Sequence, residues 1–427
     1  MRAEIENKIT KSGIEILFIN IPNQEIVDFS VVVRAGFYYS PLKKHEVSHY
    51  LEHLAFDGTK DYPNKFIFAE EAEKSGALWN ANTGSYRVRY FFQSAKNEAL
   101  DLSKIILSQV YKPLFKISDF KAERKVLRNE INRRLADDKW LATVLVWGLI
   151  TPRGVKPDER IKYLEKITLK DIKDFHKKNY VTNNTFIIIS GDLNSKQKDS
   201  IISQIEKSTK GVLRGERNKI IKPPINDFAG KTITHRGVSQ QEVYSLSFVN
   251  TKGTIEDSPA LKVFSTILNG GFSSRIFHNI RESGLSYGTE SGFSISEDYS
   301  EFYLKDYVDK DRSLKAFEKA FSIVKEVARG DFTDRELKRA KGFAVGRLLR
   351  NTITPADMTN WYLSDFVMGR RLISVEEYIE QIKKVTKKDV INIAKKYVRS
   401  DNWALAIVGE EAENKKSEYK KIIKKYK

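Results

Sequence analysis

Three of the six histidines in this 427-residue chain fall within nine positions, His45-Glu46-Val47-Ser48-His49-Tyr50-Leu51-Glu52-His53. Histidines four residues apart lie one above another on a helix face, which is how a helix presents two nitrogens to one tetrahedral zinc. A carboxylate between such ligands is the usual general base of a metal-dependent peptide hydrolysis. Two motifs overlap in the stretch. His-Glu-x-x-His over residues 45–49 makes His45 and His49 the ligands and Glu46 the base. His-x-x-Glu-His over residues 49–53 makes His49 and His53 the ligands and Glu52 the base. His49 is a ligand in both, and local spacing leaves the choice open.

A zinc site of this kind needs a third protein ligand and one open position. The segment Asp119–Arg134 is charged, with apolar residues at Val126, Leu127 and Ile131, and is expected to be an amphipathic helix. Its Glu123 and Glu130 are seven residues apart, hence two turns apart on one face. Taken alone, they read equally as solvated charges or as partners for Arg124, Arg133 and Arg134.

With its flanks, the stretch resembles the M16 metallopeptidases, the pitrilysin and mitochondrial processing peptidase family. The resemblance rests on His49-x-x-Glu52-His53, on Glu130 seventy-seven residues after His53, and on Phe56-Asp57-Gly58-Thr59. Asn80-Ala81-Asn82-Thr83 followed by Tyr90 matches as well. It implies zinc on His49, His53 and Glu130, with Glu52 as general base and Glu123 as a supporting carboxylate. Asn80, Ala81, Asn82 and Thr83 would lie on an edge strand that pairs with an extended peptide. The family's more usual Gly-x-x-His is here Glu46-Val47-Ser48-His49, so His45 and Glu46 are read as a coincidental match, near the site but not in it. In the second half, Gly270–Tyr287 (GGFSSRIFHNIRESGLSY) resembles the family's glycine-rich stretch. By that resemblance Arg281 and Tyr287 would bind the substrate carbonyl and steady the oxyanion. Their spacing of six is one shorter than the family pattern.

The elements that must position these residues occur twice. Leu164–Asp192 (LEKITLKDIKDFHKKNYVTNNTFIIISGD) and residues 382–410 (IKKVTKKDVINIAKKYVRSDNWALAIVGE) align without a gap at a separation of 218. Each runs as a Thr-x-x-Asp helix start, a Lys-Lys pair, a turn with Asn and an apolar strand. The opening strands, Phe29–Arg34 and Tyr244–Val249, agree more loosely. The expected architecture is therefore α+β, with two homologous α/β-roll domains, each a mixed or antiparallel sheet packed against helices. Residues 1–209 would form the zinc-bearing domain. Residues 210–227, with Gly211, Gly215, Pro223 and Pro224, would be the linker. Residues 228–427 would form a domain without the metal site, because Ile267 and Gly271 stand at the positions equivalent to the ligands.

Composition narrows the class. Apolar residues make up 41% of the chain and aromatic ones 11%, which is globular and not disordered. No apolar run approaches the ~20 residues that span a bilayer. The N-terminus has neither an apolar secretory core nor an Arg-rich transit pattern, so a cytoplasmic location is expected. The absence of cysteine excludes disulfides and thiolate ligands. The net charge of +18 is spread over Lys/Glu-rich helix faces, a solvated surface and not a nucleic-acid or membrane site. The expected function is a zinc-dependent endopeptidase that takes unstructured peptides into a clamshell chamber. The expected assembly is a homodimer, the structural rival being a heterodimer with a metal-free homologue. A non-catalytic scaffold subunit is the alternative function.

Overall fold

The computed structural model describes residues 3–425. The first half of the chain runs β1 (Glu4–Ile9), β2 (Glu15–Asn20), β3 (Ile26–Val33), α1 (Val47–Leu54), α2 (Lys65–Glu73), β4 (Leu78–Thr83), β5 (Val88–Ala95), α3 (Ala99–Tyr111), α4 (Ile117–Leu135), α5 (Asp138–Ile150), α6 (Pro157–Glu165), α7 (Leu169–Asn179), β6 (Thr185–Gly191) and α8 (Ser195–Ser208). The second half runs β7 (Lys231–His235), β8 (Gln241–Asn250), α9 (Ser258–Asn269), β9 (Glu290–Ile295), β10 (Ser300–Asp309), α10 (Ser313–Ala328), α11 (Asp334–Arg350), α12 (Pro355–Met368), α13 (Val375–Lys384), α14 (Lys387–Tyr397), β11 (Trp403–Val408) and α15 (Ala412–Lys425).

Two mixed sheets result, with strand orders β1-β2-β6-β3-β5-β4 and β7-β11-β8-β10-β9. Without β1, the orders are the same under the internal repeat. In each, the first strand is parallel to the last of its half (β2 to β6, β7 to β11), and the other pairs are antiparallel. The central strands β6 and β11 are buried along their whole length. That is why TFIIISG and WALAIV lack the polar alternation of a half-exposed strand. The repeated helices α7 and α14 both start on a full capping box. Thr168 accepts from the Asp171 N–H and Asp171 from the Thr168 N–H, and Thr386 and Asp389 do the same.

The compact units are not contiguous along the sequence. One gathers Met1–Glu130, Asp158–Ile221 and Asn351–Ile373; the other gathers Ile131–Pro157, Lys222–Arg350 and Ser374–Lys427. The helices α5 and α12, equivalent under the repeat, are thus exchanged between the halves. The cause is visible for α5, whose sequence DKWLATVLVWGLI is apolar on most of its faces, so that only Lys139 and Thr143 are exposed and the rest is buried or partly buried. Its Leu141, Ala142, Leu145, Val146 and Ile150 form a core with Val243, Val249, Ala404, Ala406 and Val408 of the second sheet. Asp138 completes the docking by accepting the N–H groups of Val238 and Ser239 at 2.9–3.2 Å. In the first unit α12 lies on β3 and β6 with a more polar contact. Ser190 and Thr359 share a hydrogen bond of 2.7 Å, Arg89 donates to Asn360 at 2.7 Å, and the Phe186 and Phe366 rings meet edge to face at 5.8 Å. Among the described residues no helix is long and apolar enough to cross a membrane.

Candidate metal centre

Helix α1 is eight residues long, and its sequence VSHYLEHL divides cleanly. Val47, Tyr50, Leu51 and Leu54 enter the core, which turns His49, Glu52 and His53 to the remaining side. The two imidazoles lie nearly perpendicular, with ring centroids 4.9 Å apart. Helix α4 supplies the facing carboxylates. Phe120, Leu127 and Ile131 are its buried stripe, whereas Val126, expected on that face, is 47% exposed. A spacing of seven then four fits the 3.6-residue turn better than the run of adjacent residues read from the sequence. The same anchoring brings Glu123 and Glu130 together over α1.

Three donor groups converge. The Glu130 Oε2 lies 3.7 Å from His49 Nε2 and 3.6 Å from His53 Nε2, and one donor atom from each residue lies within 4.8 Å of the others. Three ligands of a tetrahedral zinc with bonds of ~2.0–2.1 Å stand roughly 3.3–3.5 Å apart, and both distances to Glu130 are close to that. His45 does not join it. Its ring packs on Phe37 at 4.6 Å, and its Nδ1 is 3.7 Å from Glu46. The arrangement matches the inverted order, not His-Glu-x-x-His.

Behind the converging nitrogens, each imidazole rests on its own carboxylate. His53 Nδ1 is 3.0 Å from Glu123 Oε2, and His49 Nδ1 is 3.1 Å from Glu46 Oε2. Glu46 thus lies beside the site, against His49, but outside the converging donors. The signal available in sequence was its i, i+3 spacing to His49, which was overshadowed by the competing motif. Arg160, which sequence reasoning missed, reaches the other Glu46 oxygen at 2.5 Å. It comes from α6, more than a hundred residues away, so nothing local announced it. Lys65 reaches Glu123 at 3.4 Å and Asp57 at 3.2 Å. At 64% exposure its contribution is screened by solvent.

These contacts set the protonation states. For Glu46 burial disfavours the charge, but the Arg160 cation and the His49 hydrogen bond prevail and hold it well below the usual carboxylate range. The hydrogen bond to His53 likewise lowers Glu123, against burial and with help from Lys65. Burial disfavours the His53 cation, yet hydrogen bonds to Glu123 and Glu130 outweigh it and raise the pKa to about 9. Two imidazole nitrogens and a carboxylate oxygen are a donor set that suits zinc, so the donor chemistry points to that kind of ion.

Glu52 is buried beside the ligands but outside the converging set. Thr83 Oγ1 donates to its Oε2, so Thr83 holds the carboxylate that the motif makes the base. Thr83 closes β4, the edge strand of its sheet. Along β4, Trp79, Ala81 and Thr83 are half-buried, while Leu78, Asn80 and Asn82 face solvent. Asn80 Oδ1 accepts the Ala81 N–H at 2.8 Å and so occupies a backbone donor of that edge.

Arg281 and Tyr287 belong to the second compact unit. The turn Phe277–Arg281 is wound as a π-helix, with Glu282 N–H to Phe277 O at 3.2 Å and Leu285 N–H to Ile280 O at 3.0 Å. The Arg281 guanidinium stands 4.8 Å from the Phe277 ring and 4.9 Å from the Tyr287 ring. All three line a small cleft with Ile280, Ser286 and Thr289. Tyr287 is 73% exposed. Its loop is tied down on both sides, because Ser286 and Thr289 donate to the buried Asp306 of β10 at 2.5 and 2.6 Å.

Residues 15–145 match the model for insulinase, peptidase family M16, and residues 166–342 match the peptidase M16 inactive domain. The chain belongs to the M16 peptidase family. An uncharacterised zinc protease of Rickettsia felis is 24% identical over 404 residues, 93% of this chain and 96% of that protein. The non-peptidase homolog YmxG of Helicobacter pylori is 25% identical over 256 residues, 59% of this chain and 58% of that protein. The crystal structure of a protease from Helicobacter pylori has a TM-score of 0.84 at 20% identity, covering 95% of this chain and 100% of that one. At that identity the match establishes the two-domain M16 fold alone. His49, His53 and Glu130 all fall in the stretch matched by the first M16 model. Ile267, in the stretch matched by the inactive-domain model, is a fully buried apolar residue of α9.

Proposed function

We propose that the chain is a zinc-dependent endopeptidase for unstructured peptides. The observation that carries this reading is the convergence of the His49 and His53 Nε2 atoms on Glu130, with Glu52 held beside them by Thr83. His49, His53 and Glu130 would hold zinc, which when bound supplies Lewis acidity and makes water easier to deprotonate near neutral pH. Glu52 takes a proton from water and later delivers it to the leaving amine. Thr83 keeps the Glu52 carboxylate in place for both transfers. Glu123 orients His53 through its Nδ1. The free edge of β4 pairs with an extended peptide, and Asn80 releases the Ala81 N–H as the peptide arrives. Edge pairing reads backbone more than side chains, which favours unfolded segments. Arg281 and Tyr287 are assigned to the substrate carbonyl and the developing oxyanion; the stacking of Arg281 and the exposure of Tyr287 support that assignment.

The proposed working form is a homodimer whose chains enclose the substrate, since one sequence carries both the metal centre and the Arg–Tyr pair. A second reading, one subunit of a heterodimer with a metal-free homologue, draws support from the non-peptidase relative. Cleavage of a quenched, unstructured peptide by the purified chain alone separates the two. Activity supports the homodimer; zinc without activity, restored by adding a metal-free homologue, supports the heterodimer.

A further inference from the structure

Glu46 and Arg160 have no part in the proton transfers assigned above, yet they are among the most deeply buried charges in the first unit. Glu46 is 0% exposed and Arg160 is 6% exposed. A buried ion pair is weak evidence for stability, since desolvation offsets much of its attraction. Its placement is more informative. One Glu46 oxygen meets Arg160 Nε at 2.5 Å and the other meets His49 Nδ1 at 3.1 Å. Arg160 in turn lies over the Phe37 ring at 5.6 Å, and that ring is 6.1 Å from the His49 ring. The back of His49 is therefore closed by Phe37, Glu46 and Arg160, and only its Nε2 side faces Glu130. The same logic operates at the neighbouring ligand, where Glu123 takes His53 Nδ1 at 3.0 Å.

We propose that Glu46 and Arg160 are a positioning pair for His49. Glu46 accepts the Nδ1 proton and leaves the Nε2 lone pair directed at the metal, while Arg160 fixes the carboxylate that does so. The inference rests on the zinc reading and extends it to two residues outside the His-x-x-Glu-His motif. A carboxylate on the far nitrogen of a metal-binding imidazole sets its tautomer and raises its basicity, and loss of such a partner costs about ten- to a hundredfold in metal affinity.

The test measures zinc affinity by chelator competition in the full chain, in Glu46→Gln, and in Glu46→Gln combined with Arg160→Met. The double substitution removes both charges, so no buried cation is left unpaired. The expected result is zinc bound about ten- to a hundredfold more weakly by both variants, with a changed cobalt(II) absorption spectrum. Wild-type affinity and spectrum in the double variant would overturn the positioning role while leaving the zinc reading intact. Failure of the wild-type chain to bind zinc would instead sink the reading beneath it. A measurement on the unaltered protein covers variants that do not fold. Nitrogen NMR of the zinc-loaded chain should show His49 carrying its proton on Nδ1, and coordination through Nδ1 would contradict the proposal.

Discussion

His53 is the residue where protonation and the proposed metal binding meet. Its pKa of about 9 in the metal-free protein lies above the ~6.5 of an unfolded histidine. The charged imidazole therefore stabilises the metal-free fold fully below about pH 6.5, and that contribution is lost as pH rises through about 9. Zinc requires the neutral ring, so its apparent affinity should climb roughly tenfold per pH unit over the same window. Thermal melts with and without zinc check this: the metal-free midpoint falls from pH 6.5 to 9 while the zinc-induced gain grows. The overlapping motifs make opposite predictions for single substitutions. His53→Ala should abolish stoichiometric zinc, and His45→Ala should leave it bound, as metal analysis of dialysed protein would report. Thr83→Val should lower kcat about tenfold or more with zinc content unchanged, because it frees the carboxylate proposed as general base without touching a proposed ligand. The two histidines and Glu52 were legible because they sit within one helical turn of each other. The contact of Glu46 with His49 Nδ1 was not legible, because spacing along one helix does not say which nitrogen each carboxylate meets.

At the scale of elements, the repeat announced the fold. Thr168-x-x-Asp171 and Thr386-x-x-Asp389 each close a capping box, and the strands that follow them are central in their sheets. Such local rules act through neighbours in sequence, so they survive in the text of the chain. The exchange of α5 and α12 was not legible, because an apolar helix states that it is buried but not against which sheet. The α5 contact can be tested directly. Leu145→Ala removes a core side chain from the second unit and should cost about 2–5 kcal/mol, read as a lowered denaturant midpoint. The loop of Tyr287 depends on another buried contact. Burial raises the Asp306 pKa while the Ser286 and Thr289 hydroxyls oppose the rise. Asp306→Asn keeps the shape but weakens both hydrogen bonds, and peptidase kcat should fall several-fold with zinc affinity untouched.

For the molecule as a whole, the two halves share a sheet topology but not a donor set. The first holds the converging His49, His53 and Glu130, and the second has Ile267 where a ligand would stand. Duplication of a fold preserves its core pattern, whereas a metal centre persists only where each donor is kept. The central claim is that this chain, by itself, hydrolyses peptides at the inverted motif. The most direct measurement follows cleavage of an internally quenched, unstructured peptide by the purified chain beside Glu52→Gln, with zinc determined on both samples. Cleavage by the wild type is expected and, in the variant, about one zinc per chain with a rate lower by roughly 10²–10⁴-fold. Full activity in the Glu52→Gln protein, or a wild-type chain that neither binds zinc nor cleaves the peptide, would contradict the claim.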